Sequence, residues 1–176
     1  MNQINIGNNN VSLSLLSKDD LSNWLEKGSK VGMISNLPVD TEEFDEYLKF
    51  VYQTKINNME KDPGQEIWYS YYSIIFENRI IGTIGPKGKQ DSTGTIEIGY
   101  GISEKYWNRG IITNAIGIFC DWYFKNTSIN SIKAETNVTN IASQKVLIKN
   151  GFSITIKNNE RITFIKYKID ISNSGK

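Results

Sequence analysis

The sequence predicts an α/β (α+β) protein in which a mixed, twisted and mostly antiparallel sheet carries helices on both faces. Short runs in which apolar and polar residues alternate predict strands, and longer runs with helically spaced apolar residues predict helices. Both tight turns and one helical crossover join the strands, which is typical of a mixed sheet. The 176 residues are enough to bury one core, so a single domain over 1–176 is expected. Only about 1–9 and 171–176 are expected to be loose.

The first half of the chain is predicted to hold three strands and two helices. Ser17 is suited to cap the first helix and Gly28 to end it. Glu77 and Asn78 separate two β-rich runs and predict a hairpin. The predicted elements are a strand over 11–15, a helix over 18–26, a loop over 30–39, a helix from Asp40 or Thr41 to about 60, and strands over 68–76 and 79–84.

The second half is predicted to alternate strands and helices before a final hairpin. Apolar residues recur with helical spacing after Arg109, and Asn140 is suited to cap a further helix that closes before Gly151. The predicted elements are a polar loop over 87–94, a strand over 95–103, a helix over about 109–125, a strand over 131–137, a helix over 140–149, and strands over 153–157 and 161–169.

Composition excludes several classes of function. The net charge of +1 gives no electrostatic reason to expect nucleic acid or an anionic membrane as a partner. No apolar run reaches the ~20 residues that span a bilayer. The N-terminus lacks a secretory pattern and the single Cys120 is expected as a buried thiol, so a cytoplasmic protein is expected. Because the chain has no histidine, the commonest general base and the commonest zinc ligand are both missing, and a Ser-His-Asp or Cys-His hydrolase is excluded.

The turn Asn108-Arg109-Gly110 is the best candidate for a phosphate site. It joins a predicted strand to a predicted helix, and Gly110 lets a ligand approach the backbone closely. Free N–H groups and the positive end of the helix dipole at such an N-terminus bind anions, including a pyrophosphate. Strand–glycine–helix turns are also common as plain packing units, and that interpretation stays open.

Glu97 is the candidate for a general base. It alternates with Ile96 and Ile98 on a predicted strand and therefore faces away from both. A carboxylate that faces a cleft can accept a proton, directly or through water, if burial raises its pKa. The alternative is a salt-bridged or solvent-facing strand residue.

The start of the last predicted helix holds three polar candidates. Asn140 is a natural N-cap, and Ser143 lies where its hydroxyl can point into a cleft and hydrogen-bond a thiolate leaving group. Capping and an incidental surface hydroxyl are the alternatives for these two. Lys145 is either a solvated helix residue or a contact to a nucleotide phosphate.

Two motifs in this order resemble the GNAT superfamily of N-acetyltransferases, and most closely its Rim-type branch of ribosomal-protein N-terminal acetyltransferases. The first motif is the strand Glu97-Ile98-Gly99-Tyr100 followed by Tyr106-Trp107-Asn108-Arg109-Gly110-Ile111-Ile112-Thr113. The second runs from Asn140 through Phe152 as Asn-x-x-Ser-x-x-Val-Leu-x-Lys-x-Gly-Phe. The likeness spans about Val11 to Ile169, and its specificity lies in the two motifs together.

The resemblance implies a GNAT-like fold that binds acetyl-coenzyme A (acetyl-CoA) and transfers the acetyl group to an amine, without a metal. It implies that the turn holds the pyrophosphate, that strand residues near Ile102 pair with the pantetheine amides, and that Asn140 contacts the pantetheine arm. The expected cofactor-binding residues are Ile102, Asn108, Arg109, Gly110, Ile111, Ile112, Thr113, Asn140 and Lys145.

The chain departs from the family pattern at positions that bear on catalysis. The family often has a tyrosine at the position of Leu147, where it protonates the departing thiolate. Leucine cannot donate a proton, so Ser143 is the expected substitute, and Glu97, acting through water, is the expected base. The family prefers Gly or Ala at the position of Ile112. The branch often has Glu at the position of Asn114, so no acid role transfers there.

Three functions remain open at this point. The first is an N-acetyltransferase in which an amine attacks acetyl-CoA directly. The second is a non-catalytic acyl-CoA-binding or regulatory module on the same scaffold, and Leu147 is the feature that favours it. The third is an enzyme for a small amine, such as an aminoglycoside or polyamine, rather than for a protein N-terminus.

The acceptor site is expected from the loop over 28–39, the second helix and the last hairpin. The acidic residues near one wall attract a cationic amine or simply begin a helix. These are Asp40, Glu42, Glu43, Asp45 and Glu46. The aromatic run over 68–72 is core, acceptor pocket or the face of a possible homodimer.

Overall fold

A computed structural model of the chain describes residues 5–7, 11–28 and 32–169. In chain order the strands are β1 (Asn5–Gly7), β2 (Val11–Leu15), β3 (Met33–Ile34), β4 (Leu37–Pro38), β5 (Tyr72–Phe76), β6 (Arg79–Pro86), β7 (Thr95–Ile102), β8 (Ser131–Asn137), β9 (Ser153–Lys157) and β10 (Arg161–Tyr167). The helices are α1 (Lys18–Lys27), α2 (Glu46–Lys61), α3 (Glu66–Tyr69), α4 (Ile111–Asn126) and α5 (Ile141–Lys149). One turn of 3-10 helix, Glu104–Tyr106, follows β7.

Eight of these strands form one sheet in the order β1-β2-β5-β6-β7-β8-β10-β9, and β3 and β4 pair separately. Every neighbouring pair in the large sheet is antiparallel except β7 and β8. Those two strands are parallel because α4 crosses over between them. The predicted mixed, mostly antiparallel sheet is therefore confirmed.

The sheet carries an apolar core on each face. Ile80 and Ile81 are consecutive in β6 and belong to opposite cores, as strand alternation requires. Ile81 shares its core with Phe119 of α4, whereas Ile80 shares the other with Trp24 of α1 and Ile56 of α2. Helices on both faces are thus confirmed. Within the aromatic run, Tyr71 and Tyr72 are buried, so this part of it is core.

Local capping and turn signals in the sequence are confirmed. Ser17 accepts a hydrogen bond from the backbone N–H of Asp20 at 3.0 Å, and the Asp20 carboxylate accepts one from the backbone N–H of Ser17. Glu77 and Asn78 have φ of 48° and 56°, as a two-residue hairpin turn between right-twisted strands requires.

The predicted start of the second helix at Asp40 or Thr41 is wrong. The helix begins at Glu46, where the Asp45 side chain accepts a hydrogen bond from Leu48 N–H at 2.7 Å. The earlier acids bind elsewhere: Asp40 accepts from Lys105 and Tyr106, and Glu42 accepts from Ser103 Oγ at 2.6 Å. These contacts hold the segment extended along the ends of β6 and β7, so tertiary contacts override its helical signal.

Four smaller boundaries also differ from the prediction. Trp68 lies in α3, so the strand predicted over 68–76 begins only at 72, and α4 begins at Ile111 rather than at Arg109. The loop expected over 30–39 contains the β3–β4 hairpin, and β1 pairs with β2 inside the segment expected to be loose. The other loose-end predictions, over 1–4, 8–9 and 171–176, lie outside the described residues.

Candidate active site

Strand β7 separates from its parallel partner β8 halfway along its length. The pairing begins with Thr95 opposite Ser131 and ends with Ile98 opposite Ala134. On its other side, β7 stays paired with β6 as far as Ile102. A cleft of about 600 Å³ opens beyond Ile98, between the free half of β7, the end of β8, α2 and the start of α5.

The free half of β7 directs backbone polar groups into this cleft. Lys87 N–H donates to the Glu97 carbonyl at 2.7 Å, and Ser103 N–H donates to the Ile81 carbonyl at 2.9 Å. Residues of an antiparallel pair alternate between facing the partner and facing away. Tyr100 and Ile102 therefore point their N–H and C=O groups towards the side that β8 has left. The Ile102 carbonyl accepts from Trp107 Nε1 at 3.1 Å.

Two hydroxyl groups meet across the cleft. Tyr100 Oη and Ser143 Oγ are 2.6 Å apart, and both residues line the cavity. Burial raises the pKa of Tyr100 to about 12, although the hydrogen bond with Ser143 lowers it. The backbone N–H of Ser143 is held in turn by Asn140 Oδ1 at 3.0 Å. The predicted cap is therefore confirmed, and Ser143 is fixed through both its backbone and its side chain.

The position of Leu147 agrees with its inability to act as an acid. Its side chain is fully buried in the core that α4 and α5 share with the sheet. Ser143 lies one turn earlier on the same helix and lines the cleft.

Glu135 is a carboxylate that the sequence reasoning did not select. It lies on β8 just beyond the last residue paired with β7 and lines the cleft, with its side chain 26% exposed. Its ion pairs are long, at 3.4 Å to Lys133 and 3.4 Å to Arg161. Position within the strand was the available signal, because ligands of α/β sheets bind beyond the carboxyl ends of parallel strands. Glu97 is only the third residue of β7, whereas Glu135 is the fifth of β8.

Glu97 does not line the main cleft. It faces away from the buried Ile96 and Ile98, as predicted, and lines a separate cavity of about 290 Å³ with Lys87 and Lys133. Its carboxylate pairs with Lys87 and with Lys133, the latter at 2.7 Å. Partial burial raises the pKa of Glu97, but the two lysine hydrogen bonds outweigh it and hold the pKa below the ordinary value. A carboxylate with a lowered pKa is a weaker base.

The turn before α4 has the form that the sequence predicted. Asn108 and Gly110 both have positive φ, at 59° and 73°. Gly110 is the N-cap of α4, and among the described residues no side chain accepts a hydrogen bond from the first turn of this helix. The other helices of eight or more residues in the described chain are capped by Ser17, Asp45 and Asn140. Since a Cβ on Gly110 would meet no atom within 4 Å, the space beside the uncapped N–H groups is open.

The predicted cofactor residues divide into two groups. Ile102 and Asn140 line the cleft together with Ser143, the predicted catalytic residue, whereas the turn over 108–113 and Lys145 do not line it. The turn follows β7 directly along the chain, after the 3-10 turn. The Arg109 guanidinium lies over the Phe76 ring at 4.7 Å and pairs weakly with Glu77 at 3.4 Å. Lys145 is exposed on α5.

The opposite wall of the cleft is aromatic and acidic. It is formed by α2, by the extended segment before it, by Trp24 of α1 and by Arg161 of the last hairpin. The described part of the 28–39 loop does not line the cavity, and its expected part in the acceptor site stays a prediction. The lining residues on this wall are Trp24, Thr41, Glu42, Glu43, Phe44, Tyr47, Leu48, Phe50, Val51 and Tyr52.

A buried lysine also lines the cleft. Lys55 of α2 is 5% exposed, and its Nζ donates to the carbonyls of Pro86 at 2.6 Å and Tyr69 at 3.0 Å. Its Nζ lies 4.0 Å from the centre of the Tyr71 ring. Burial lowers the pKa of Lys55 to about 7, and the Lys87 ammonium acts in the same direction. A neutral amine has two N–H donors, which match the two carbonyl acceptors.

Within the described residues, no helix combines the length and apolar character needed to cross a membrane. The same residues contain no group of three or more His, Cys, Asp or Glu side chains placed to hold a metal ion.

The family follows from a match over most of the chain. Residues 10–153 match the family model described as the acetyltransferase (GNAT) domain. The chain therefore belongs to the GNAT acetyltransferase family, and the predicted family resemblance is confirmed.

One curated relative is an uncharacterised N-acetyltransferase, YjdG, from Bacillus subtilis (strain 168). It is 31% identical over 101 residues, which are 57% of this chain and 60% of the relative. The match thus spans about three fifths of the relative's length.

Solved structures have the same fold. A ribosomal-protein-S5-alanine acetyltransferase from Vibrio fischeri is similar with a TM-score of 0.67 at 18% identity, covering 95% of this chain and 98% of that one. RimL, a ribosomal L7/L12 α-N-protein acetyltransferase in complex with coenzyme A, gives 0.65 at 15% identity, covering 93% and 98%. At such identities the likeness establishes the fold alone, and the predicted GNAT-like fold is confirmed.

Proposed function

We propose that the chain is an acetyl-CoA-dependent N-acetyltransferase in which a primary amine attacks the thioester directly. The observation that carries this proposal is the separation of β7 from β8. It leaves strand backbone groups, a half-buried carboxylate and a pair of hydroxyls around one cleft. Family membership supports the same reaction class.

The proposed cosubstrate, acetyl-CoA, has a matching set of polar groups along β7 and its continuation. Its pyrophosphate suits the uncapped start of α4, at residues 108–113. Its pantetheine amides suit the outward backbone groups of Tyr100 and Ile102, with Asn140 beside them. Because the Ile102 carbonyl already accepts from Trp107, its N–H is the group available to a ligand. Arg109 and Lys145 remain predicted contacts to the phosphates.

The chemistry needs a base for the amine and a stabiliser for the thiolate. The amine nitrogen bonds to the acetyl carbon, the carbon–sulfur bond breaks, and the ammonium proton must leave. We assign this proton to Glu135, directly or through water, because Glu135 lines the cleft and its ion pairs are long. The assignment of the base to Glu97 stays a prediction that its position and its lysine pairs do not favour. Ser143 donates a hydrogen bond to the departing thiolate.

The acceptor amine is proposed to enter along the α2 wall. Carboxylates of Glu42 and Glu43 line this wall and attract a cation. The exposed rings of Tyr47 and Phe50 are 68% and 70% accessible and offer apolar contact to the rest of the acceptor. Both a protein N-terminus and a small amine remain candidates. A cytoplasmic location, a homodimer and the absence of nucleic acid and membrane partners also stay predictions.

An amine screen tests the proposal. The chain is incubated with acetyl-CoA and a panel of free-N-terminal peptides, polyamines and aminoglycosides, and products are identified by mass spectrometry while free thiol is measured. Peptides with blocked N-termini serve as matched controls. An acetylated product from at least one amine, with none from its blocked form, is the expected result. Tight CoA binding with no product from any amine would favour the non-catalytic acyl-CoA-binding module instead.

A further inference from the structure

We infer that Tyr100 is a positioning residue that fixes the Ser143 hydroxyl so that its proton points at the departing thiolate. This inference rests on the proposed function, because the thiolate is that of coenzyme A. The observation that carries it is the contact of 2.6 Å between Tyr100 Oη and Ser143 Oγ inside the cleft.

The contact joins two elements that the sheet does not hold together. Tyr100 lies on the free half of β7, and Ser143 lies in the first turn of α5, after the departing strand β8. A serine hydroxyl otherwise rotates freely. With its Oγ held by Tyr100 and its N–H held by Asn140, Ser143 keeps one orientation, which a catalytic hydrogen bond requires.

Acidity decides the direction of the hydrogen bond. Either oxygen can donate in this contact; because a phenol is a stronger acid than an aliphatic hydroxyl, we assign Tyr100 as the donor and Ser143 as the acceptor. The Ser143 proton then stays available to a further acceptor in the cleft. A hydroxyl that accepts one hydrogen bond donates a stronger one, because chains of hydrogen bonds polarise each other.

Tyr100 itself keeps its proton throughout. Burial raises its pKa to about 12, which disfavours a tyrosinate in this position. When the carbon–sulfur bond breaks, the electron pair stays on sulfur, Ser143 donates a hydrogen bond to it, and solvent later protonates the thiolate. Tyr100 therefore acts through Ser143 and does not contact the reacting atoms.

The pKa of the bound coenzyme A thiol tests this inference without any acceptor amine. A hydrogen bond to the thiolate lowers that pKa, and thiolate formation is followed by its ultraviolet absorbance. The complex with desulfo-coenzyme A provides the baseline for every other titrating group. The protein's single thiol, Cys120, does not interfere near neutrality, because burial raises its pKa to about 12.

Three variants separate positioning from packing. The Tyr100 ring packs against the core, so Tyr100→Phe keeps the packing and removes only the hydroxyl. Ser143→Ala should weaken the acidity of the bound thiol about tenfold, one pKa unit, as expected for losing one hydrogen bond to a charged group. Tyr100→Phe should weaken it about threefold. The double variant should match Ser143→Ala, because Tyr100 acts only through Ser143.

The kinetic counterpart uses any amine that the wild-type chain acetylates. Tyr100→Phe should lower kcat with little change in KM for acetyl-CoA, and Ser143→Thr, which keeps a hydroxyl, should retain the dependence on Tyr100. A bound-thiol pKa that is the same in Tyr100→Phe and wild type, or additive losses in the double variant, would overturn the inference and leave the acetyltransferase proposal intact. Absence of coenzyme A binding by the wild type, measured by calorimetry, would instead overturn both.

Discussion

The two halves of β7 have the same backbone geometry and opposite surroundings. Residues 95–98 pair with β8, and on their other side the N–H groups of Lys87 and Asp91, which follow β6, donate to the carbonyls of Glu97 and Thr95. The charged side chain in this half, Glu97, is held by two lysines. Residues 99–102 pair with a strand on the β6 side only, and the Tyr100 side chain in this half reaches across to Ser143 of α5. Polar residue type alone therefore does not mark a site. A site needs polar groups whose strand partners have been removed.

The same contrast separates the two carboxylates at the parallel pair. Glu97 pairs with Lys133 at 2.7 Å where β7 and β8 run together, whereas Glu135 lies where they have separated and has ion pairs of 3.4 Å. The first arrangement uses a carboxylate to hold two strands together. The second leaves it able to accept a proton.

The largest expected effect comes from replacing the Glu135 carboxylate by an amide, with the same replacement at Glu97 as the matched control. Glu135→Gln should lower kcat/KM roughly 10²-fold near neutral pH, the lower end of general-base contributions. The loss should shrink at high pH, where more of the amine is already neutral. The matched variant Glu97→Gln should stay within about threefold, as for a partly exposed ion pair. Steady-state kinetics across pH on both variants check this.

A larger loss of activity in Glu97→Gln than in Glu135→Gln would contradict the assignment of the base to Glu135. If Glu97→Gln lost the greater activity with the steeper pH dependence, the base would belong to the half of β7 that pairs with β8.

A second prediction concerns the close packing of β6 against the free half of β7. A Cβ on Gly82 would overlap the Gly101 carbonyl and lie 2.7 Å from Ile102 Cα. Gly82→Ala should therefore lower the free energy of unfolding by about 2 kcal/mol, a typical cost of overpacking. A Cβ on Gly101 would meet nothing within 4 Å, so Gly101→Ala should be close to neutral. Urea unfolding of both variants measures the difference, and equal losses would mean that the two strands can move apart at little cost.

A third prediction tests the open space at the start of α4. Gly110→Val places a branched side chain beside the uncapped N–H groups and should weaken acetyl-CoA binding at least tenfold, about 1.4 kcal/mol. Valine is strained at the φ of 73° there, so Gly64→Val, at a φ of 83° in open space, is the control for strain. Calorimetry on folded variants decides. An unchanged affinity in Gly110→Val would move the phosphates away from this turn.

The smallest expected effect concerns Lys55, a buried lysine that has no carboxylate partner in the described part of the chain. Its pKa is about 7 in the folded protein and about 10.4 in an unfolded chain. Between those values the unfolded state binds more protons, so stability should rise with pH. From pH 7 to pH 8 the contribution should be about 1 kcal/mol, since a full proton gives about 1.4 kcal/mol per pH unit.

Lys55→Met should remove that rise, whatever its effect on stability at a single pH. Unfolding free energies of both proteins at several pH values between 7 and 10 measure the slope. Parallel curves for wild type and variant would mean that Lys55 stays protonated, held by its two carbonyl acceptors and the Tyr71 ring.

Local signals made much of the fold predictable. The caps at Ser17 and Asn140 and the turn at Glu77-Asn78 depend on neighbours three residues away or fewer, so the sequence contains the whole cause. The start of α2 was missed because Asp40 and Glu42 bind residues more than sixty positions later. No local pattern records such contacts.

The candidate site was predictable only in part for the same reason. Gly110 and Asn140 have backbone roles that their own motifs indicate. Two features depend on where β7 and β8 separate: the hydrogen bond between Tyr100 and Ser143, and which of the two carboxylates, Glu135 or Glu97, lines the cleft. The position of this separation is a property of the whole sheet. The alternation of residues along the strand is the same before and after it, so the sequence pattern does not reveal where it falls.

The hydrogen bond from Trp107 to the Ile102 carbonyl gives the protein a built-in optical reporter. The chain has four tryptophans. Trp107 is 54% exposed, and its indole N–H donates to the Ile102 carbonyl at the end of the strand that we propose for the cosubstrate. Because indole emission responds to hydrogen bonding and solvent contact, filling the cleft should change the fluorescence of this residue. Titration with acetyl-CoA should produce a saturable change in fluorescence that disappears in Trp107→Phe. If the variant shows the same change as the wild type, the response belongs to another tryptophan. Occupancy of the site could then be followed in real time without a label.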